Sequence, residues 1–153
     1  MRSYLLVLAC LILLCTACSE QEATEIQDYE LTPTFTVENN TLRGIRDKIG
    51  FLNLDFKANE ITNVLWHFWG TADILTGTFR VEGTHIETNE KMQVLLNGSR
   101  LKTWELPEVY TQGELGADKT KPTFVQFDKP GKWKLDVIIG ERKFAELIIE
   151  VDE

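Results

Sequence analysis

The sequence predicts an all-β sandwich of about seven to nine strands. Short runs of alternating apolar and polar residues recur along the chain, turn signals separate them, and neither a long amphipathic helix pattern nor an internal repeat interrupts them. The clearest run is residues 132–139, where Trp133, Leu135, Val137 and Ile139 share one face. Gly140-Glu141 turns this run into a last strand rich in β-branched residues, with Phe144 at its opening, which makes a C-terminal hairpin.

The chain begins differently. Met1-Arg2 gives a positive start, residues 4–14 are an unbroken apolar run, and small Thr16-Ala17 precede Cys18. A charged start, a short apolar run and a small-residue cleavage site make a secretory signal, too short for a membrane span. Cys18 directly after Ala17 resembles a bacterial lipobox, with Cys15 where leucine is usual, and implies a diacylglyceryl group on the Cys18 sulfur. Residues 1–17 are then a cleaved signal peptide and residue 18 the lipid anchor. Cys10 and Cys15 leave with the leader, so the mature domain has neither a free thiol nor a disulfide and folds by core burial alone. The implied location is the extracytoplasmic face of the cell membrane, with the lipid membrane as partner through Cys18.

Removing 17 residues leaves 136, one domain's worth. The mature balance is 15 basic against 24 acidic residues. Five of the acids (Glu20, Glu22, Glu25, Asp28, Glu30) precede Pro33 with no base among them. Residues 18–33 read as the lipidated cysteine and a flexible acidic tether, and residues 34–153 as the domain, with Tyr29 and Leu31 open to starting an edge strand instead. The domain alone carries a net charge of −4 and no basic stripe, which argues against nucleic acid as a partner.

From Thr34 the chain turns strand-like. Phe35 and Val37 alternate with Thr34, Thr36 and Glu38, and Asn39-Asn40 closes the run. Residues 42–48 are mixed, and Ile45 and Ile49 are spaced for a helical turn that Gly44 and Gly50 would keep short. Val64-Leu65-Trp66-His67-Phe68-Trp69 is apolar on both faces, Trp66 and Phe68 on one and Leu65, His67 and Trp69 on the other, which suits a central strand or the border of a groove. Residues 78–82 and 92–95 give two more short strands, set apart by Gly83 and the polar 87–90 stretch. Asn97-Gly98 signals a tight turn into residues 100–104. Residues 106–122 read as the longest irregular segment, a loop too long for a simple hairpin. Trp66 and Trp133 are the large aromatics expected between the sheets.

Several of these stretches together carry a resemblance: Gly50-Phe51, the run Trp66-His67-Phe68-Trp69-Gly70, Gly77-Thr78-Phe79-Arg80-Val81, Gly116-Ala117-Asp118, and Pro130-Gly131-Lys132-Trp133-Lys134-Leu135. The chain resembles a family of small lipoproteins of Bacillus-like Gram-positive bacteria with no assigned activity. The resemblance spans residues 50–151, about two-thirds of the chain, and implies an immunoglobulin-like sandwich domain.

Catalytic chemistry finds little support. The mature chain has Ser19 and Ser99 as its serines and His67 and His85 as its histidines, with no nucleophile-elbow glycines around Ser99. A metal site would need His67 and His85 to meet across neighbouring strands, with Asp73 or Glu87 as a third ligand. Asp118 has no Asp-x-Asp ladder beside it for calcium. The expectation is therefore no enzyme, no catalytic residue, no resident metal and no cofactor beyond the lipid on Cys18.

Binding is the class that remains. Trp69 and Trp104 stand at strand ends, where aromatic faces can meet a ligand. The candidate surface is Trp104, Tyr110 and the 106–122 loop with Asp118, extended by Trp69 and His67 should they border the same end. Its partner is a protein of the cell envelope or, alternatively, a cell-wall glycan. A further alternative is a protease inhibitor that presents the long loop.

Overall fold

The structure is a computed structural model that describes residues 29–108 and 110–153. The signal peptide, Cys18 and most of the expected tether lie outside the described residues. Within them every regular element is a strand, and the strands form two sheets facing each other as a β-sandwich.

β1 (Thr34–Val37) and β2 (Asn40–Ile45) make a hairpin with Glu38 and Asn39 at its corner, Glu38 at a φ of 53°. The helical turn expected through Ile45 and Ile49 is absent. These residues face each other across a second hairpin, from β2 into β3 (Ile49–Leu52), closed by Lys48 N donating to Ile45 O (3.1 Å), with Asp47 in the left-handed region. β4 (Phe56–Lys57) crosses to the other sheet, and β5 (Thr62–Phe68) returns as a central strand of the first. β6 (Phe79–His85) runs straight through Gly83, which was expected to interrupt it. A Cβ there would lie 2.5 Å from Val94 Cγ1 and 3.3 Å from Trp133 Cε3, so glycine makes room for the packing of Trp133.

Two stretches then change sheets within a few residues. β7 (Glu90–Gln93) pairs with β6, whereas β8 (Leu95–Leu96) belongs to the first sheet, with buried Val94 at the crossing. β9 (Lys102–Thr103) pairs with β8, and β10 (Glu105–Leu106) crosses back to β6, with Trp104 at the step. Each divided run counts as two strands, so fourteen are seen among the described residues where fewer runs were read. The turn between β8 and β9 is wider than Asn97-Gly98 alone suggests: Asn97 Oδ1 accepts from the backbone of Ser99 (2.9 Å) and Leu101 (3.0 Å).

The 106–122 stretch is not an irregular loop. β11 (Thr111–Gln112) pairs with β12 (Lys119–Val125), which contains Pro122 and lies beside β5. The ladder explains how a strand so central tolerates proline. Trp69 N donates to Lys48 O (3.0 Å), which sets the phase of β5 so that Leu65 turns its polar backbone groups toward β3. Its partner Pro122 therefore points its nitrogen away from β5, into the gap between β11 and β8.

β13 (Gly131–Ile139) and β14 (Arg142–Asp152) form the expected C-terminal hairpin. The first sheet runs β1-β2-β3-β5-β12-β8-β9 with β11 also on β12, and the second runs β10-β6-β13-β14-β4 with β7 also on β6. Between them, Trp66 meets Phe51 (5.2 Å) and Phe79 (5.5 Å), and Trp133 meets Phe127 (5.2 Å). Both indole N–H groups are satisfied, Trp66 by Thr123 Oγ1 (2.9 Å) and Trp133 by Lys129 O (3.0 Å). The two tryptophans are core, as their alternation predicts.

Residues 29–33, read as the end of the tether, are packed on the domain. Thr32 is buried and exchanges two hydrogen bonds with Ile148 of β14, and Tyr29 O accepts from Lys132 Nζ at 2.9 Å. The packed body thus starts ahead of Thr34, because Thr32 satisfies an edge of β14 that water would otherwise cover.

Candidate binding cleft at one end of the sandwich

Four connections meet at one end: the turn at 46–48, the segment 69–78, the 113–118 loop and the Gly140-Glu141 turn. The 69–78 segment is held from several sides. Gly70 N donates to Asp118 Oδ2 (2.8 Å), Asp118 N donates to Phe68 O (2.9 Å), and Leu75 N donates to Thr71 O (3.0 Å). Gly77 and Gly140 touch backbone to backbone, both at positive φ, where a Cβ on Gly77 would lie 2.6 Å from Gly140 Cα. Buried Leu75 plugs the segment onto the core.

Between this segment and the C-terminal hairpin lies a cleft of about 330 Å³. Trp69, Ile74, Ile139 and Phe144 make its apolar wall, and Lys48, Arg142 and Lys143 stand around it. A more open depression of about 580 Å³ adjoins it across Gly70, bordered by Asp118 and Lys119. The less open, aromatic cleft is the better ligand site of the two, since apolar walls with a few polar groups are what small-molecule pockets share.

Phe144 reaches the cleft through a β-bulge. Ladder partners run Val137 to Ala145 and then Ile138 to Lys143, which leaves Phe144 as the extra residue. In a regular strand Phe144 would be out of step with the inward-facing Ala145, Leu147, Ile149 and Val151. The bulge lets it pack edge-on against Phe68 (6.0 Å), with Lys48 Nζ 5.6 Å from its ring centre. Opposite, Arg142 Nη2 donates to Asp73 O (2.8 Å), and Lys143 is held between Asp136 (2.6 Å) and Glu146 (2.7 Å), which together raise its pKa.

The residues singled out by sequence divide into three groups. Trp69 lines the cleft, and Asp118 braces its neighbour Gly70. His67 is buried beneath, stacked on Trp69 at 6.3 Å, with no hydrogen-bond partner for Nδ1, and burial pushes its pKa down. Tyr110 is at the same end but half-buried: its ring meets Phe68 (5.7 Å), Lys119 Nζ (5.3 Å) and Lys121 Nζ (5.0 Å), and its hydroxyl donates to Gly77 O (3.3 Å). Burial, then the charge of Glu108, raises its phenol to about 12. It packs as a structural plug between two lysines. Trp104 sits apart on the flank beside Val81, covered on one side by Arg80 (5.7 Å). His67 and His85 belong to different sheets and do not share a site. His85 uses both ring nitrogens, on Thr88 Oγ1 (3.0 Å) and Pro130 O (2.9 Å).

Over residues 21–149 the sequence matches the family described as a domain of unknown function, DUF4871. The chain belongs to that family. No curated protein matches it. Among solved structures it is similar to one described as an "X-ray Crystal Structure of a Putative Lipoprotein from Bacillus anthracis", at 19% identity and a TM-score of 0.67, covering 82% of this chain and 87% of that one. At this identity the likeness is one of fold.

Of the residues lining the cleft, sequence reasoning selected Trp69 alone and missed Phe144, Lys48 and Arg142 among the rest. A signal was present for Phe144, which breaks the period-two pattern of the last strand.

Proposed function

We propose that this protein is a lipid-anchored extracytoplasmic lipoprotein, attached through Cys18, whose sandwich binds a ligand in the Trp69–Phe144 cleft and has no enzymatic activity. The observation that carries the binding reading is the bulge at Phe144, which brings an aromatic side chain, otherwise out of phase, to the cleft. Bulges beside pockets re-aim side chains in this way. The anchored location is supported by the leader that ends at Ala17-Cys18 and by the lipoprotein description of the structural neighbour.

Tyr29, the first described residue, and the cleft lie at opposite ends of the domain. Tyr29 is held by Lys132 near the start of β13, and Ile139 at its end lines the cleft. Lys132 and Ile139 are seven steps apart along the strand, about 23 Å at roughly 3.3 Å each. A domain attached by residues 18–28 can therefore present its cleft away from the bilayer.

Backbone NMR of the mature Cys18→Ser chain, titrated with low-molecular-weight extracts of the cell envelope, tests the binding reading. Shifts should concentrate at the Trp69 indole, Gly70 and Phe144 and vanish in Trp69→Ala. Shifts centred on Trp104 would move the site to the flank, and a spectrum unmoved by every fraction would remove the binding reading.

A further inference from the structure

Five cations among the described residues are answered by carboxylates. Arg80 and Lys91 pair with Glu82, Lys102 with Asp128, Lys129 with Glu90, and Lys143 with Asp136 and Glu146. Lys48 and Arg142 have no carboxylate within ion-pair distance among the described residues, and both line the cleft. Their positions are fixed by other means, Lys48 over the Phe144 ring and Arg142 by the Asp73 carbonyl. The Asp73 carboxylate is engaged first by the Thr71 hydroxyl and also feels the charge of Arg142, without pairing with it.

Resting on the binding reading above, we propose that the cleft takes an organic anion: a carboxylate or phosphate head held by Lys48 and Arg142, on an apolar body laid against Trp69, Ile74, Ile139 and Phe144. Two positive charges beside a low-dielectric apolar wall attract such a head more strongly than the same charges in open water. A bare inorganic ion would leave the apolar wall wet, and a neutral apolar ligand would leave the cations unused. The cleft volume of about 330 Å³ suits a small ligand.

The test uses the mature Cys18→Ser chain and two fluorescent probes that share one aryl body. 1-Anilinonaphthalene-8-sulfonate carries a charge, and N-phenyl-1-naphthylamine does not. The anionic probe should bind at least about tenfold more tightly, with the difference shrinking as salt screens the rim. Lys48→Ala with Arg142→Ala should erase that preference while the neutral probe's affinity stays within about twofold. Octanoate or octyl phosphate should displace the anionic probe, and the more effective of the two assigns the head group. Equal affinity for both probes, or indifference to the double substitution, would overturn the anion assignment and leave the cleft standing as an apolar site. Binding of neither probe by a chain with intact near-ultraviolet circular dichroism would overturn the cleft itself.

Discussion

His67 illustrates what burial does to a single side chain. It is enclosed between the outer face of the first sheet and Trp69, and Nδ1 lacks a partner, so the neutral ring is favoured and its pKa lies below the ordinary 6.5. The unfolded chain binds the proton more readily, so stability falls as pH drops below about 6.5 toward the folded value. His67→Phe should flatten that loss in melting temperatures measured from pH 7 to 5; an unchanged slope would mean the ring is not the titrating group. At the opposite end of the pH scale, Tyr110 should ionise near 12, read as a late phase in absorbance at 295 nm that Tyr110→Phe removes. Trp133, wholly buried between the sheets, is one of the two largest core side chains. Trp133→Ala should destabilise by about 3–5 kcal/mol in urea unfolding. The tryptophans were legible because strand alternation fixes the face of Trp66 and Trp133. Tyr110 was not, because nothing local says that a loop tyrosine will be packed between Lys119 and Lys121 of a strand about ten residues away.

At the level of elements, the hairpins followed from alternation and turn chemistry, and the sheet crossings did not. Residues 92–95 read as one strand, yet the chain passes from one sheet to the other at Val94, a choice set by tertiary packing. The irregular segment likewise reads in sequence as running to Pro122, whereas Pro122 lies within β12 with its nitrogen facing an unpaired gap. Pro122→Val should therefore change stability by less than about 1 kcal/mol in urea titration, since no ladder bond is gained or lost across β5; a loss of several kcal/mol would show that proline holds the strand's shape. The bulge makes the corresponding prediction for the cleft. Phe144→Ala should cost about 1–2 kcal/mol, as a half-buried phenylalanine, while abolishing enhancement of the anionic probe. Full enhancement in that variant would place the probe elsewhere.

For the whole molecule, the sequence and the fold speak to different ends. The domain is closed by Trp66, Trp133 and their aromatic neighbours without a disulfide, and its cleft lies at the end remote from Tyr29. The proposed address rests on the opening residues: a charged start, an apolar run, and Cys18 after two small residues. An acylated cysteine carries about 0.8 kcal/mol of membrane affinity per buried methylene, so a multi-chain anchor would hold the protein at the bilayer. The proposed function joins the two, with a lipid anchor ahead of Tyr29 and a binding cleft at the end remote from it. Its most direct test is to express the full chain and its Cys18→Ala variant in a Gram-positive host and to separate membrane from soluble material, with mass spectrometry of the N-terminal peptide. The account predicts a diacylglyceryl mass on Cys18 in the membrane fraction and a variant that leaves the membrane without lipid; a variant that stays membrane-bound, or a native chain with unmodified Cys18, would contradict it.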